Sequence, residues 1–260
     1  MSPGSERPGD FIQSLERGLS VINSFSRQTP RQTLSEVAER TALTRATARR
    51  VLLTLSELGY VTQSGRLFSL TPKVLDLGYS FLSSFQIVDL AQPSMERLVD
   101  DVRESSSMSV LDGSEIVYVA RVPTTRIMTI ALALGSRLPA YPTSMGRVLL
   151  AGLDRDEFED YLSRTTLQSL TEHTITDPVE FREVISRCRE QGHALVDQEL
   201  EEGVRSIAAP IHNGRGRVIA AVNLSCHASR VDIDRMLEEF RPRLLDAASE
   251  ISERAQSLQM

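Results

Sequence analysis

Cysteine is scarce: Cys188 and Cys226 are the only two in 260 residues, too few for a disulfide framework or a four-cysteine metal site. The histidines at 173, 193, 212 and 227 stand singly, without H-x-x-x-H or H-E-x-x-H spacing, and Cys226 and His227 would point to opposite faces of a strand. No metal is expected. No run of about 18 apolar residues occurs, and Met1–Asp10 has no apolar leader core, so neither a membrane span nor secretion is expected and the cytoplasm is the expected location. Lysine is almost missing as well. Lys73 is the single one among 29 basic residues, the rest being arginine. That excludes a Gly-Lys-Ser/Thr phosphate loop and confines any lysine Schiff base to one position. There is no G-x-S-x-G elbow, and Gly214-Arg215-Gly216 precedes a strand-like run and lacks the third glycine of a dinucleotide fingerprint. Nor does any carboxylate pair have an assignable task. No catalytic residue and no cofactor are expected, and a small-molecule enzyme with an incidental helical N-terminus is the weaker reading.

What is present is an ordinary globular composition, 41% hydrophobic and 25% charged, with a net charge of −6. The average conceals a split. Residues 1–73 hold ten basic and six acidic residues, a balance of +4, which leaves −10 for the remainder. A small basic module on an acidic body is the pattern of a nucleic-acid-binding segment joined to a second domain. The expected division is 1–73, a connecting helix 74–92, and 93–260.

In the first segment Ile12, Leu15, Leu19, Ile22 and Phe25 recur at helical spacing after Asp10, the expected cap. Ser35 is the expected cap of a short helix, and Thr44 of a longer one that ends at Gly59, with Ala48, Val51, Leu55 and Leu58 as its buried stripe. Two β-like runs, YVTQ and LFSL, flank Ser64-Gly65-Arg66 as a hairpin. Helix, helix, turn, helix and hairpin make a winged helix-turn-helix. A recognition helix enters the major groove and reads bases from its first turns. Ala46 and Arg50, flanked by Thr47 and Arg49, lie opposite the apolar stripe, with Thr44 and Arg45 at the N-terminal edge. Arginine takes guanine O6 and N7 with its planar fork. Arg40 and the hairpin Arg66 suit phosphates.

After Pro72, residues 74–88 repeat apolar positions at three and four, either as a dimerisation seam or as a helix packed on its own domain, with Pro93 expected to kink or restart it. Strands are expected at SMSVLDG, EIVYVARV and IMTIALAL. A loop, LPAYPT, and helices from Ser144, Arg155 and Pro178 follow, then strands at HALVDQEL, VRSIAAPI and RVIAAVNLS and one long terminal helix. This is an α+β sheet domain. Tyr141-Pro142-Thr143-Ser144 running into Met145-Gly146 places free backbone N–H groups at a helix N-terminus, a site for a carboxylate.

SLERGLSVINSFS, LSEVAERTALTRATARRVLLTLSELGYV and LTPKVLDLG resemble the winged helix-turn-helix of the IclR family of bacterial transcription regulators. RLPAYPTSMGRVLLAGL, DQELEEGVRSIAAPI and GRVIAAVNLS resemble that family's effector-binding domain, whose sheet is antiparallel or mixed and GAF/profilin-like. The resemblance implies a repressor or activator that binds palindromic double-stranded operator DNA as a homodimer or dimer of dimers. It implies effector contacts at Thr143, Ser144, Met145, Gly146, Asp197, Glu199, Ser206, Asn223 and Ser225, beside Tyr141 on the same loop. Family members sensing two- and three-carbon acids tend to carry Cys and Ser where this chain has Ser206 and Asn223, which disfavours a glyoxylate- or pyruvate-like effector. ALALGSRLPAYPTSMGRVLLAGL is similar to the subgroup controlling aromatic-acid breakdown through the β-ketoadipate pathway, whose effectors include protocatechuate, 4-hydroxybenzoate and β-ketoadipate. Arg126 or Arg137 could add a cation for such an acid, or simply lie on the surface.

Overall fold

The computed structural model describes residues 10–84, 86–124 and 132–256. Two compact units divide the chain, residues 1–84 and 85–260.

The first unit is the expected winged helix-turn-helix: α1 (Gln13–Asn23), β1 (Gln32–Thr33), α2 (Leu34–Arg40), α3 (Arg45–Glu57), β2 (Val61–Ser64), β3 (Leu67–Leu70), a 3-10 turn (Pro72–Val74) and α4 (Leu75–Ser84). Asp10 does not cap α1. The cap position is Ile12, which has no side-chain acceptor, and Asp10 lies two residues before it. Nor does Ser35 cap α2. Thr33 stands in extended geometry and accepts the Glu36 N–H, while Glu36 Oε2 accepts the Thr33 N–H at 2.6 Å. The reciprocal box needs an acid three residues after the cap, which Thr33 has in Glu36 and Ser35 lacks, facing Ala38 instead.

Thr44 does cap α3, accepting from the Thr47 N–H. At the other end Gly59 adopts φ +81°, and the Tyr60 N–H returns to Leu55 O at 2.8 Å. That left-handed closure is cheap only for glycine. The buried stripe of α3 is Ala48, Leu52 and Leu55, spaced four and three. Val51 is half-buried and Leu58 is 52% exposed at the C-cap. Val21, Val37, Val61 and Phe68 complete this small core. The two-residue β1, too short to register as a sequence pattern, joins the hairpin as the third strand of a β1-β3-β2 sheet.

In the second unit α5 (Ile87–Val102) runs unbroken past Pro93, contrary to the expected kink. Pro93 and Asp89, whose carbonyl loses its helical donor, both lie on the exposed face, where water can satisfy that carbonyl. Ile87, Ala91 and Met95 on the opposite face are fully buried. The expected connecting segment 74–92 is thus divided, α4 closing the first unit and α5 opening the second.

Then come β4 (Ser105–Asp112), β5 (Glu115–Val122), β6 (Arg137–Pro139), α6 (Ser144–Ala151), α7 (Arg155–Arg164), α8 (Pro178–Gln191), β7 (Ala194–Asp197), β8 (Val204–His212) and β9 (Val218–His227). The six strands order as β6-β5-β4-β9-β8-β7, with every pairing antiparallel. The strand expected at 127–134 lies outside the described residues as far as 131, and Leu132 to Leu134 belong to no strand. Part of the expected LPAYPT loop instead forms edge strand β6, where Pro139 costs no ladder bond. The terminal helix is interrupted: α9 (Ile233–Arg235) and a π-turn (Met236–Phe240) precede α10 (Arg241–Ala255). Pro242 at the start of α10 cannot donate backwards, and the wider turn absorbs the mismatch.

Alternation sorts the sheet into two faces. Ile207, Ala209, Ile211, Ala220, Val222 and Leu224 pack with Met95 of α5 and Leu244 and Ile251 of α10. Ala208 and Ala221 face the other way, toward Met145 and Leu149 of α6, Phe158 of α7 and Phe181 of α8. By the same period Asn223 and Ser225 lie on the α6 face. This face holds a small cavity with a few convergent polar groups.

Candidate functional site

On the first unit, Arg45, Ala46, Arg49 and Arg50 are exposed along the first two turns of α3. Thr47 is half-buried and its hydroxyl stands 2.9 Å from that of Thr44, so both threonines serve the helix cap. Arg40 ends α2, one residue before the tight turn in which Ala42 takes φ +53°, and Arg66 sits at the exposed tip of the hairpin. Arg45, Arg49 and Arg66 converge on one open groove of about 500 Å³ with Gln63, Thr33 and Ser35. Arg50 and Thr47 instead flank a second, apolar groove of about 530 Å³ between α1 and α3. Among the described residues no carboxylate lies within ion-pair distance of Arg45, Arg49, Arg50 or Arg66. Their charge is uncommitted, which suits phosphate contacts. The placement of Gln63, Thr33 and Ser35 beside these arginines was not legible in the sequence, because the groove exists only once β1 brings the start of α2 beside the hairpin.

On the second unit, the cavity lies between the N-terminus of α6 and the sheet. Thr143, Ser144 and Met145 form its roof, and Ser206, Asn223 and Ser225 its polar floor. Ser206 and Ser225 are direct cross-strand partners, and Val196 continues that row on β7. Tyr118, Leu132, Pro142, Leu200 and Val204 close the sides. Pro142 belongs to the loop expected there; Tyr118, Leu132, Leu200 and Val204, with Val196, were not expected and become neighbours only through strand order and the β7–β8 loop. The volume is about 30 Å³, room for a couple of water molecules.

The roof is built for an acceptor. Thr143 caps α6, its Oγ1 taking the Gly146 N–H at 3.0 Å, so the first helical N–H groups, of Ser144 and Met145, have no helical carbonyl to reach. The Ser144 side chain is 1% exposed and its hydroxyl has no hydrogen-bond partner. A buried orphan hydroxyl is costly unless something else completes it. Ser109 donates to Met145 Sδ at 3.3 Å, fixing the thioether, and a register shift in β4 between Met108 and Ser109 lies beside this contact. Burial pushes the Tyr118 phenol up to about 12, which keeps it a donor at neutral pH.

Four expected contacts are placed elsewhere. Gly146 does not line the cavity: its α-carbon is pressed against the preceding loop, where an added Cβ would come within 2.0 Å of Ala140 O. Tyr141 turns away and donates to Gln168 O at 2.7 Å. Asp197 makes a two-pronged pair with Arg205, at 2.8 and 2.9 Å. Glu199 is buried against Arg147. Their acceptors are engaged, and none of the four lines the cavity. Arg137 pairs with Asp112 and Glu115 on the surface, each at 2.7 Å, and Arg126 lies outside the described residues. Cys226 is fully buried and its thiol is pushed up to about 12 by desolvation, so it is inert. No cluster of three metal-ligating side chains occurs among the described residues, and no helix among them is long and apolar enough to cross a membrane.

Comparison with known proteins places both units. Residues 14–65 match the family described as "IclR helix-turn-helix domain". Residues 79–253 match "Bacterial transcriptional regulator IclR C-terminal". The chain is 44% identical to the Pca regulon regulatory protein of Pseudomonas putida over 93% of its length and 84% of that protein. A crystal structure from Rhodococcus sp. RHA1 is 51% identical with a TM-score of 0.87, covering 96% of this chain and all of that one. An IclR homolog from Microbacterium hydrocarbonoxydans, solved in complex with 4-hydroxybenzoate, is 25% identical with a TM-score of 0.83, covering 94% of this chain and all of that one.

Proposed function

The chain belongs to the IclR family of bacterial transcriptional regulators, and on that premise we propose that it controls aromatic-acid catabolism in the cytoplasm by coupling operator DNA at α3 to an organic acid held under α6. The observation that carries the ligand reading is the buried, unpartnered Ser144 hydroxyl beside two free helix N–H groups. A carboxylate completes all three and is favoured by the helix dipole. The Asn223 amide and the Ser206 and Ser225 hydroxyls offer donors and acceptors for a ring hydroxyl, while Tyr118, Leu132, Val196 and Leu200 supply ring contacts. An acid of the hydroxybenzoate class fits this chemistry, and the relatives that regulate the Pca genes or bind 4-hydroxybenzoate support it. The cavity must widen to admit a benzene ring, which an effector-linked change of state requires in any case.

In this reading Arg45, Ala46, Arg49 and Arg50 face the major groove, and Arg40 and Arg66 hold phosphates. A second copy covers the end of the apolar groove formed by Leu15, Leu19, Leu58 and Leu77, each 47–60% exposed, and leaves its Arg50 edge open to DNA. Calorimetry with 4-hydroxybenzoate, 3,4-dihydroxybenzoate and 3-oxoadipate, beside gel shift on the DNA upstream of its own coding sequence, tests both halves. Absence of binding to every acid would sink the effector assignment. One observation favours a second reading. Glyoxylate and pyruvate would ask for less widening of the cavity of about 30 Å³ than an aromatic ring does, so both belong in the same panel, and tighter binding of either than of the aromatic acids would decide for it.

A further inference from the structure

Arg147 lies one turn inside α6, with its side chain 3% exposed, and its Nη2 stands 2.5 Å from Oε2 of Glu199, whose side chain is 8% exposed. Two packed apolar residues would stabilise the fold about as well as such a pair, so its presence is poorly explained by stability alone. What it holds in place is more informative. Arg147 Nε donates to Tyr141 O at 3.0 Å, fixing the loop that turns into α6 immediately before the cavity roof. Glu199 Oε2 also accepts the Ile175 N–H at 3.1 Å, and Glu199 O accepts the Thr174 hydroxyl at 2.7 Å. The next residue, Leu200, is a wall of the cavity. The preceding one, Gln198, holds φ +60°, and its Oε1 takes the Gly203 N–H at 3.0 Å. The ion pair therefore ties the Ser144 roof to the 198–203 loop, although neither charged side chain lines the cavity.

We infer that Arg147 and Glu199 are positioning residues for the ligand: together they set the separation between the helix N-terminus that takes the acid and the Leu200 wall that meets the rest of it. This inference rests on the effector reading above. It also accounts for charge. With the guanidinium committed to Glu199, no cationic side chain is found among the described residues lining the cavity, and the acid is met by N–H groups and hydroxyls.

The test is the full-length double variant Arg147→Met/Glu199→Gln, which removes both charges while leaving an acceptor for the Ile175 N–H. Its melting temperature stays near that of the wild type. Its affinity for 4-hydroxybenzoate by calorimetry falls at least tenfold, and amide exchange in the ligand-free protein quickens at 141–146 and 198–203. Arg147→Lys, which keeps a cation opposite Glu199 but cannot also reach Tyr141 O, shows a smaller loss with the fold intact. Glu104→Gln is the control. Glu104 is fully buried and paired with Arg230, and neither residue lines the cavity, so this change lowers stability without altering affinity. A folded double variant with wild-type affinity and exchange overturns the inference. A wild type that binds none of the acids overturns the effector reading, and this inference with it, before any variant is made.

Discussion

Asn223 Oδ1 accepts the backbone N–H of Ser107 at 3.0 Å across the β4–β9 pair. The bond fixes the carboxamide, since its oxygen is used on the strand and its NH₂ is the end left for the cavity. Asn223→Leu should therefore weaken binding of a hydroxylated aromatic acid by tenfold or more, and Asn223→Asp further still, by setting a buried negative charge against an anion. Titration calorimetry at neutral pH reads both, and equal affinity across the three proteins would show that Asn223 does not meet the ligand.

Different arginines should fail differently on DNA. Arg49→Ala and Arg50→Ala are expected to cost about 1–3 kcal/mol each on a specific operator, with relaxed sequence preference. Arg66→Ala should weaken specific and random DNA alike and shallow the salt dependence by about one unit of slope. Fluorescence anisotropy across a salt series separates the cases, and identical slopes for all three would count against the division of roles.

Gly146→Ala tests backbone proximity alone. Because the added methyl would fall within 2.0 Å of a main-chain oxygen, α6 has to shift, at about 2–3 kcal/mol. Thermal unfolding of the variant should show a midpoint lower by several degrees. An unchanged midpoint would mean that the loop before α6 yields freely.

Acid should loosen the second unit through His212. Desolvation holds its imidazole below the ordinary 6.5. The folded state thus resists protonation that the unfolded chain accepts, and the contribution is fully present above pH 6.5 and is lost as the pH falls below it. His212→Gln should flatten the decline in stability as the pH falls below about 6.5, as followed by urea denaturation. A variant that loses stability over that range as steeply as the wild type would assign the acid sensitivity to other groups.

Legibility in the sequence followed the range of the interactions. The caps at Thr44 and Gly59 are local, and the helix-turn-helix could be read from them. So could the polar alternation of Asn223 and Ser225 on β9, which needs only the period of a strand. Asp197 and Glu199 could not be assigned this way, because their partners are fixed by tertiary structure. Arg205 pairs with Asp197 from the neighbouring strand, and Arg147 reaches Glu199 from a helix 52 residues earlier. The apolar members of the cavity, Tyr118, Val196 and Leu200, were hidden for the same reason: each reads as an ordinary core residue until the strand order brings them together. The cap of α2 was missed by two residues although the box is local, because Thr33 also ends a strand.

Lys73 Nζ donates to Leu58 O at 2.9 Å, at the carbonyl end of α3, and lies 5.2 Å from the centre of the Tyr60 ring. In a chain whose other basic side chains are all arginine, amine-directed reagents find one side-chain target, at the foot of the recognition helix and outside the groove formed by Arg45, Arg49 and Arg66. A single fluorophore attached there would report motions of that helix while leaving Arg45, Arg49 and Arg66 unmodified.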